Sequence, residues 1–264
     1  AVHRLPDWEI LPYDQFSPHP DLVSERLATL HQFSQGACDV GLVPVSTALQ
    51  RLPPRSYLAA RTFFLRQKSR LDLEALKAQL ALAGYAAVQQ VMAPGEFCVR
   101  GGLVDLFPTG SPVPYRLDLL GEEIESIRTF DVDSQRSIYP VAEVRLLPAR
   151  EFPLDEEGRA RFRANFRERF EGDPTKRRAY KDVSNGIAPP GVECYLPLFF
   201  ESTSTLLDYL PAGATFVMHE DVPAGAEGFW RDLKSRWELL RGDSDRPLLP
   251  PDQLYLPVEE FFVA

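Results

Sequence analysis

Four short runs between residues 97 and 130 constrain this chain more than any other feature. Residues 97–99, 103–107, 115–120 and 124–130 alternate apolar with polar side chains, and Gly101-Gly102, the proline-bounded stretch 108–114 and Gly121-Glu122 separate them. A period of two places successive side chains on opposite faces, and connections this short join antiparallel neighbours, so the stretch predicts an antiparallel sheet with one buried face. A helix is predicted just upstream over 71–83, with Leu73, Leu76 and Leu80 on one face, Ser69 and Asp72 near its start and Gly84 just past its end. Residues 63–147 therefore read as a small α+β domain.

The flanking segments read differently. Proline (24) outnumbers glycine (16), and the pairs Pro53-Pro54, Pro189-Pro190 and Pro250-Pro251 punctuate the chain. Residues 21–33 carry Leu22, Val23, Leu27 and Leu30 at helical spacing, closed by Gly36. The apolar run 40–45 predicts a buried strand, followed by a helix capped by Ser46 and stopped by Pro53-Pro54. A lone buried parallel strand makes no sheet, so 1–62 is expected to be the second half of an α/β unit that begins before Ala1. Residues 159–170 predict a helix whose Phe162, Phe166 and Phe170 face a core, with Asp155, Glu156 and Glu157 upstream where they favour the helix dipole.

Composition narrows the class. At 44% hydrophobic and 25% charged residues the chain lies far from the disordered corner, and no apolar run approaches the length of a membrane helix. Three well-separated cysteines without CxxC spacing point to neither a disulfide framework nor a zinc site, and fit a reducing cytoplasm. Lys+Arg 29 against Asp+Glu 38 gives a net charge of −9, the opposite of a duplex-coating protein.

Catalytic motifs are missing. Neither the GxxxxGK[ST] phosphate loop nor a GxSxG elbow occurs, and His3, His19, His31 and His219 lack metal-ligand spacing. Gly101-Gly102 reads as a turn or bulge. Asp105, Asp118, Glu122, Glu123 and Glu125 leave a magnesium-dependent nuclease as one alternative, although Gly121-Glu122-Glu123 reads as a solvated hairpin tip. The arginine-rich helix 159–170, continuing through Lys176, Arg177, Arg178 and Lys181, leaves a nucleic-acid-binding domain as another, weighed against a solvated face with Glu168, Glu171 and Asp173 interleaved. In the strand 115–120, alternation turns Tyr115, Leu117 and Leu119 one way and Arg116, Asp118 and Leu120 the other. An arginine, an acid and a large aliphatic group together suit a protein-binding patch.

These same residues carry a resemblance. Gly95-Glu96-Phe97-Cys98-Val99-Arg100-Gly101-Gly102-Leu103-Val104-Asp105-Leu106-Phe107-Pro108, Pro114-Tyr115-Arg116-Leu117-Asp118 and Glu123-Ile124-Glu125-Ser126-Ile127-Arg128-Thr129-Phe130-Asp131, with Ser134-Gln135-Arg136, resemble the UvrB-like module of bacterial transcription-repair coupling factors, the Mfd family. The likeness extends upstream through Asp7-Trp8-Glu9, Leu11-Pro12-Tyr13-Asp14 and Ser17-Pro18-His19. Downstream it runs through Leu146-Leu147-Pro148-Ala149-Arg150-Glu151-Phe152-Pro153, Pro197-Leu198-Phe199-Phe200 and Arg246-Pro247-Leu248-Leu249-Pro250-Pro251. UvrB itself fits less well, because its phosphate loop and DNA-gripping hairpin have no counterpart here.

The resemblance implies an α/β fold, a degenerate helicase-like domain 1A/1B with an inserted small α+β domain and no P-loop. Residues 1–62 would be the C-terminal part of domain 1A, 63–147 the UvrA-binding domain 2, and 148–264 domain 1B. It implies a non-catalytic, cytoplasmic module that recruits UvrA. The parent would be an ATP-dependent DNA translocase that displaces stalled RNA polymerase, and its motor, with ATP and Mg, would lie outside this chain along with the contacts to polymerase and DNA. No cofactor is expected for the module itself. The family's UvrA contacts fall on Arg100, Arg116 and Leu120, the last standing where the family commonly has phenylalanine. Both arginines are expected to point outward and to matter little for stability.

Overall fold

The computed structural model describes residues 1–263. In chain order its strands and α-helices are β1 Val2–Arg4, α1 Pro20–Ser34, β2 Val40–Leu42, α2 Val45–Ala48, α3 Arg55–Ala60, β3 Phe63–Arg66 and α4 Leu73–Leu82. Next come β4 Ala86–Ala87, β5 Glu96–Arg100, β6 Leu103–Phe107, β7 Tyr115–Leu120, β8 Glu123–Phe130, β9 Ser137–Pro140 and β10 Glu143–Leu146. The helices α5 Glu156–Arg169, α6 Arg178–Ser184, α7 Leu206–Tyr209, α8 Val222–Leu240, α9 Pro251–Leu254 and α10 Val258–Val263 complete the series. The chain divides into two compact units, one of residues 23–28 and 56–150, the other of 1–22, 29–55 and 151–264.

The unit holding 56–150 is built on a six-stranded sheet of order β4-β5-β6-β7-β8-β9. The four predicted strands are its centre and pair antiparallel; β4, which the alternation did not reveal, adds in parallel at one edge, and β9 closes the other. A β-bulge between Asp118 and Leu119 shifts the β7–β8 register. One face is dry: Phe97, Val104, Leu106, Leu117, Ile124 and Ile127 pack with Leu76 and Leu80 of α4 and with the antiparallel β3–β10 ribbon through Leu65, Val144 and Leu146. Helix α4 starts where Asp72 accepts hydrogen bonds from the amides of Glu74 and Ala75 (2.9 and 3.0 Å), and the chain leaves it through Gly84 at φ +88°. The β3–β10 ribbon escaped the sequence pattern because its strands are only four residues long and lie far apart in sequence, and β9, which pairs with the nearby β8, because it is four residues long and exposed throughout.

The second unit is mainly helical. Helix α5 is capped by Asp155, whose carboxylate accepts from the amide of Gly158 at 2.8 Å, and it buries Phe162 and Phe166 as its spacing predicts. Their rings meet Phe199 at 4.8 Å and Tyr195 at 6.1 Å, and Phe152 joins Phe199 at 5.0 Å. Two expectations for 40–52 are corrected. The strand is Val40–Leu42, it is exposed, with Val40 at 50% and Leu42 at 55%, and it pairs in parallel with β1, a partner whose Val2-His3-Arg4 offers no strand signal. The following helix ends at Ala48, ahead of the proline pair, and Ser46 does not cap it. The cap position is Pro44, and the Ser46 hydroxyl donates instead to Asp7 at 2.8 Å, joined by Thr47 at 3.2 Å. Ser46 lies inside the first turn rather than at the cap, and its hydroxyl meets a long-range acceptor there.

Glu193 is buried in this unit, its Oε2 accepting from the Ser17 hydroxyl at 2.8 Å, while Ser17 Oγ accepts from the amide of Gly191 at 3.1 Å. Burial, reinforced by the neighbouring Glu151, pushes the Glu193 carboxyl up to about 7. The folded state thus holds a proton that the unfolded chain releases near pH 4.5, so the contribution is fully present below that pH and is lost as pH rises through about 7. Glu193→Gln keeps an acceptor for Ser17 and removes the titration. Its melting temperature is expected to exceed the wild type's by more at about pH 8 than at about pH 5; an equal difference at both pH values would show that Glu193 does not titrate with folding.

Candidate protein-docking site

The outer face of the sheet is set by register. Cys98 lies opposite Asp105, Asp105 opposite Arg116, and Arg116 opposite Arg128; two residues along, Arg100 lies opposite Leu103 and Leu103 opposite Asp118. One end of this face is covered. Val91, Cys98, Phe107 and Phe130 form a small buried cluster under the loops 88–95 and 131–136, and the Gln135 side chain ties the loops by donating to the carbonyls of Val91 (3.3 Å) and Val132 (2.7 Å). The other end stays open and carries Arg100, Asp118 and Leu120.

At the boundary sits Asp105, 1% exposed in the middle of an otherwise apolar strand. Arg116 grips it with two parallel bonds, Nε to Oδ1 at 2.6 Å and Nη2 to Oδ2 at 2.9 Å. The same guanidinium donates through Nη1 to the Gln135 carbonyl at 3.0 Å and lies over the Phe130 ring, 4.9 Å from its centroid. Hydrogen bonding to Asp105 raises the Arg116 pKa above its ordinary value despite partial burial. Arg100 reaches the same carboxylate from the end of β5, through Nη2 to Oδ2. Its position is fixed by the turn that follows: Gly101 adopts φ +61°, and a Cβ on Gly102 would stand 3.1 Å from the Leu119 carbonyl oxygen, on the strand that also carries Leu120. Gly101-Gly102 is thus a turn, as its sequence implied.

The three predicted site residues come together on one face but are not equivalent. Leu120 is 70% exposed and the Arg100 side chain 48% exposed, both open to a partner. Arg116 is 15% exposed, which corrects the expectation of an outward-facing arginine with little structural role. Most of its donors are committed to Asp105 and Gln135. Asp105 itself went unrecognised as the organiser of the patch. The signal was present, a carboxylate inside the strand Leu103-Val104-Asp105-Leu106-Phe107, where a charge is rarely buried without a partner.

Three further carboxylates of this region are also engaged. Asp118 accepts from the Ser126 hydroxyl at 2.6 Å, while Glu122 and Glu123 face Arg70 and Lys68 at the β7–β8 tip. Among the described residues no group of three or more His, Cys, Asp or Glu side chains is placed to hold a metal ion. On helix α5, Arg159 and Arg163 both pair with Glu156, at 2.6 and 3.0 Å, and so interrupt a continuous basic stripe. No helix of the described residues is long and apolar enough to cross a membrane.

Comparison with known proteins defines the class first: residues 63–152 match the UvrB interaction domain, so this sheet and its outer face belong to that domain family. The whole chain is similar to one segment of the transcription-repair-coupling factors, 46% identical over 262 residues to that of Haemophilus influenzae and 46% identical over 262 residues to that of Escherichia coli. In both cases the match spans 98% or more of this chain and 23% of the relative. The factor of Myxococcus xanthus is 36% identical over 268 residues, 98% of this chain and 22% of that protein. The chain therefore spans less than a quarter of the length of these relatives.

The geometry separates the two arginines energetically. Arg116→Ala removes the bidentate partner of a buried carboxylate and is expected to destabilise the domain by about 3 kcal/mol. Arg100→Ala, at a half-exposed pair, is expected to cost about 1 kcal/mol or less. Urea unfolding of the two variants checks this order; equal costs would mean that Asp105 does not depend on Arg116.

Proposed function

We propose that this chain is a non-catalytic docking module that recruits UvrA, through a surface formed by Arg100, Arg116 and Leu120. The observation that carries the reading is the UvrB interaction domain over 63–152, whose outer sheet face holds Arg100 and Leu120 at its open end and Arg116 at the boundary beside Asp105. Buried Asp105 fixes the two guanidinium groups, so little side-chain freedom remains to be lost when a partner carboxylate docks against them. Leu120 supplies apolar area beside them, and excluding water there strengthens the charged pairs.

In this reading 63–147 is domain 2, and 1–62 and 148–264 are parts of degenerate helicase-like domains 1A and 1B. The longer protein of which such a module forms part would be an ATP-dependent DNA translocase that displaces stalled RNA polymerase. Its ATP and Mg would serve a motor beyond these 264 residues, consistent with the lack of a phosphate-loop motif in this sequence.

Binding of purified UvrA to the chain tests the surface. Arg100→Ala is expected to weaken binding by about 2 kcal/mol where its pair is desolvated, with the unfolding transition nearly unchanged. Leu120→Phe, which restores the residue common in the family, is expected to tighten binding or leave it unaltered. Arg116→Lys keeps the charge but cannot reproduce the fork, so it should lose both stability and affinity. Wild-type affinity in folded Arg100→Ala and Leu120→Ala variants would sink the assignment.

A further inference from the structure

Four of the five arginines of helix α5 fall into two groups. Arg159 and Arg163 are 26% exposed and turn to Glu156, whereas Arg161 and Arg169, eight residues apart with Asn165 between them, share the opposite stripe of the helix. That second stripe lines a groove of about 390 Å³ in the helical unit, within the size range of small-molecule sites. Arg51 enters from the other side, and Pro197, Leu198 and Phe200 form an apolar wall. The wall is held to the helix by Asn165, whose Nδ2 donates to the Leu198 carbonyl at 3.0 Å.

The bonds these guanidinium groups make leave charge to spare. Arg169 donates to the neutral Gln253 side chain at 2.6 Å, and Arg51 to the Asp252 main-chain carbonyl at 3.3 Å. Arg161 faces Glu157 at 3.4 Å and Glu201 at 3.9 Å, but those carboxylates are 82% and 91% exposed, where water screens the attraction and the side chains can swing aside. Of the carboxylates, Glu201 and Asp252 line the groove, so three cations stand against two anions. Eight residues of α-helix separate Arg161 from Arg169 by about 12 Å along the axis, too far for both to clasp one small anion side by side. The long arginine side chains can lean toward each other across that backbone separation, so that two successive negative groups of one elongated ligand each meet a guanidinium, whose fork matches phosphate oxygens.

We propose that this groove binds consecutive phosphate groups, with Arg161 and Arg169 each taking one and Arg51 closing the opposite side. The source is either a free polyphosphate, as in a nucleotide, or adjacent phosphates of a single nucleic-acid strand. Both present the same chemistry. The site belongs to the unit that carries no part of the UvrA surface, so it stands or falls independently of that reading.

The test titrates the 264-residue chain with inorganic tripolyphosphate and, separately, with an oligothymidylate of about eight nucleotides, a length within single-strand site sizes, by calorimetry at low salt. Saturable binding of either probe is expected, weakening as salt rises. Arg169→Ala and Arg161→Ala are each expected to weaken it about tenfold, and Arg163→Ala, tied to Glu156 outside the groove, by less than about twofold. Binding of tripolyphosphate alone assigns the free source, and binding of the oligonucleotide assigns the strand. Absence of saturable binding by both probes, or an equal loss in Arg163→Ala and Arg169→Ala, overturns the proposal, the latter because it would reveal only diffuse charge attraction.

Discussion

A single buried carboxylate organises the face of this protein that is open to a partner. Asp105, at 1% exposure, is held by two cations: the fork of Arg116 on the neighbouring strand β7 and the tip of Arg100 at the end of β5. Because these groups sit on three adjacent strands, the interaction also locks the register that brings Leu120 to the same face. Arg116 couples this polar centre to the small apolar cluster beneath the two covering loops, through Phe130 and the Gln135 carbonyl. Charge, sheet register and loop position therefore depend on one another.

The consequence is a division of labour. Arg116 is chiefly an internal strut whose outer edge reaches the surface. Arg100 is half free, held at one nitrogen and otherwise available, and Leu120 is the bare apolar element. A docking surface built this way presents donors whose positions are already fixed, which lowers the conformational cost of association. In the proposed docking role, binding and stability are entangled at Arg116 and separable at Arg100 and Leu120.

The helical unit follows a different rule. Its core is an aromatic cluster on α5, and polar groups inside it are satisfied over long sequence separations: Ser46 and Thr47 by Asp7, Glu193 by Ser17, and the Tyr13 hydroxyl by the Leu249 carbonyl at 2.9 Å. Helix α5 serves two environments. Its phenylalanines build the core, while four of its five arginines divide between a pinned row and a row that lines the groove beside Arg51.

Much of this was legible in the sequence, and the reason is locality. The period of two between 97 and 130 fixes four strands and their dry face; Asp72 and Gly84 bound helix α4, and Asp155 with Phe162 and Phe166 defines helix α5. The motif strings point to the family and to Arg100, Arg116 and Leu120. Tertiary structure alone decided what depends on partners distant in sequence: the pairing of Val40–Leu42 with Val2–Arg4, the β3–β10 ribbon, and the bond from Ser46 to Asp7. It alone decided that Asp105 is the shared counter-ion of two arginines, because strand alternation assigns a residue to a face but only the register across β5, β6 and β7 says which charges meet there and how deeply they are buried.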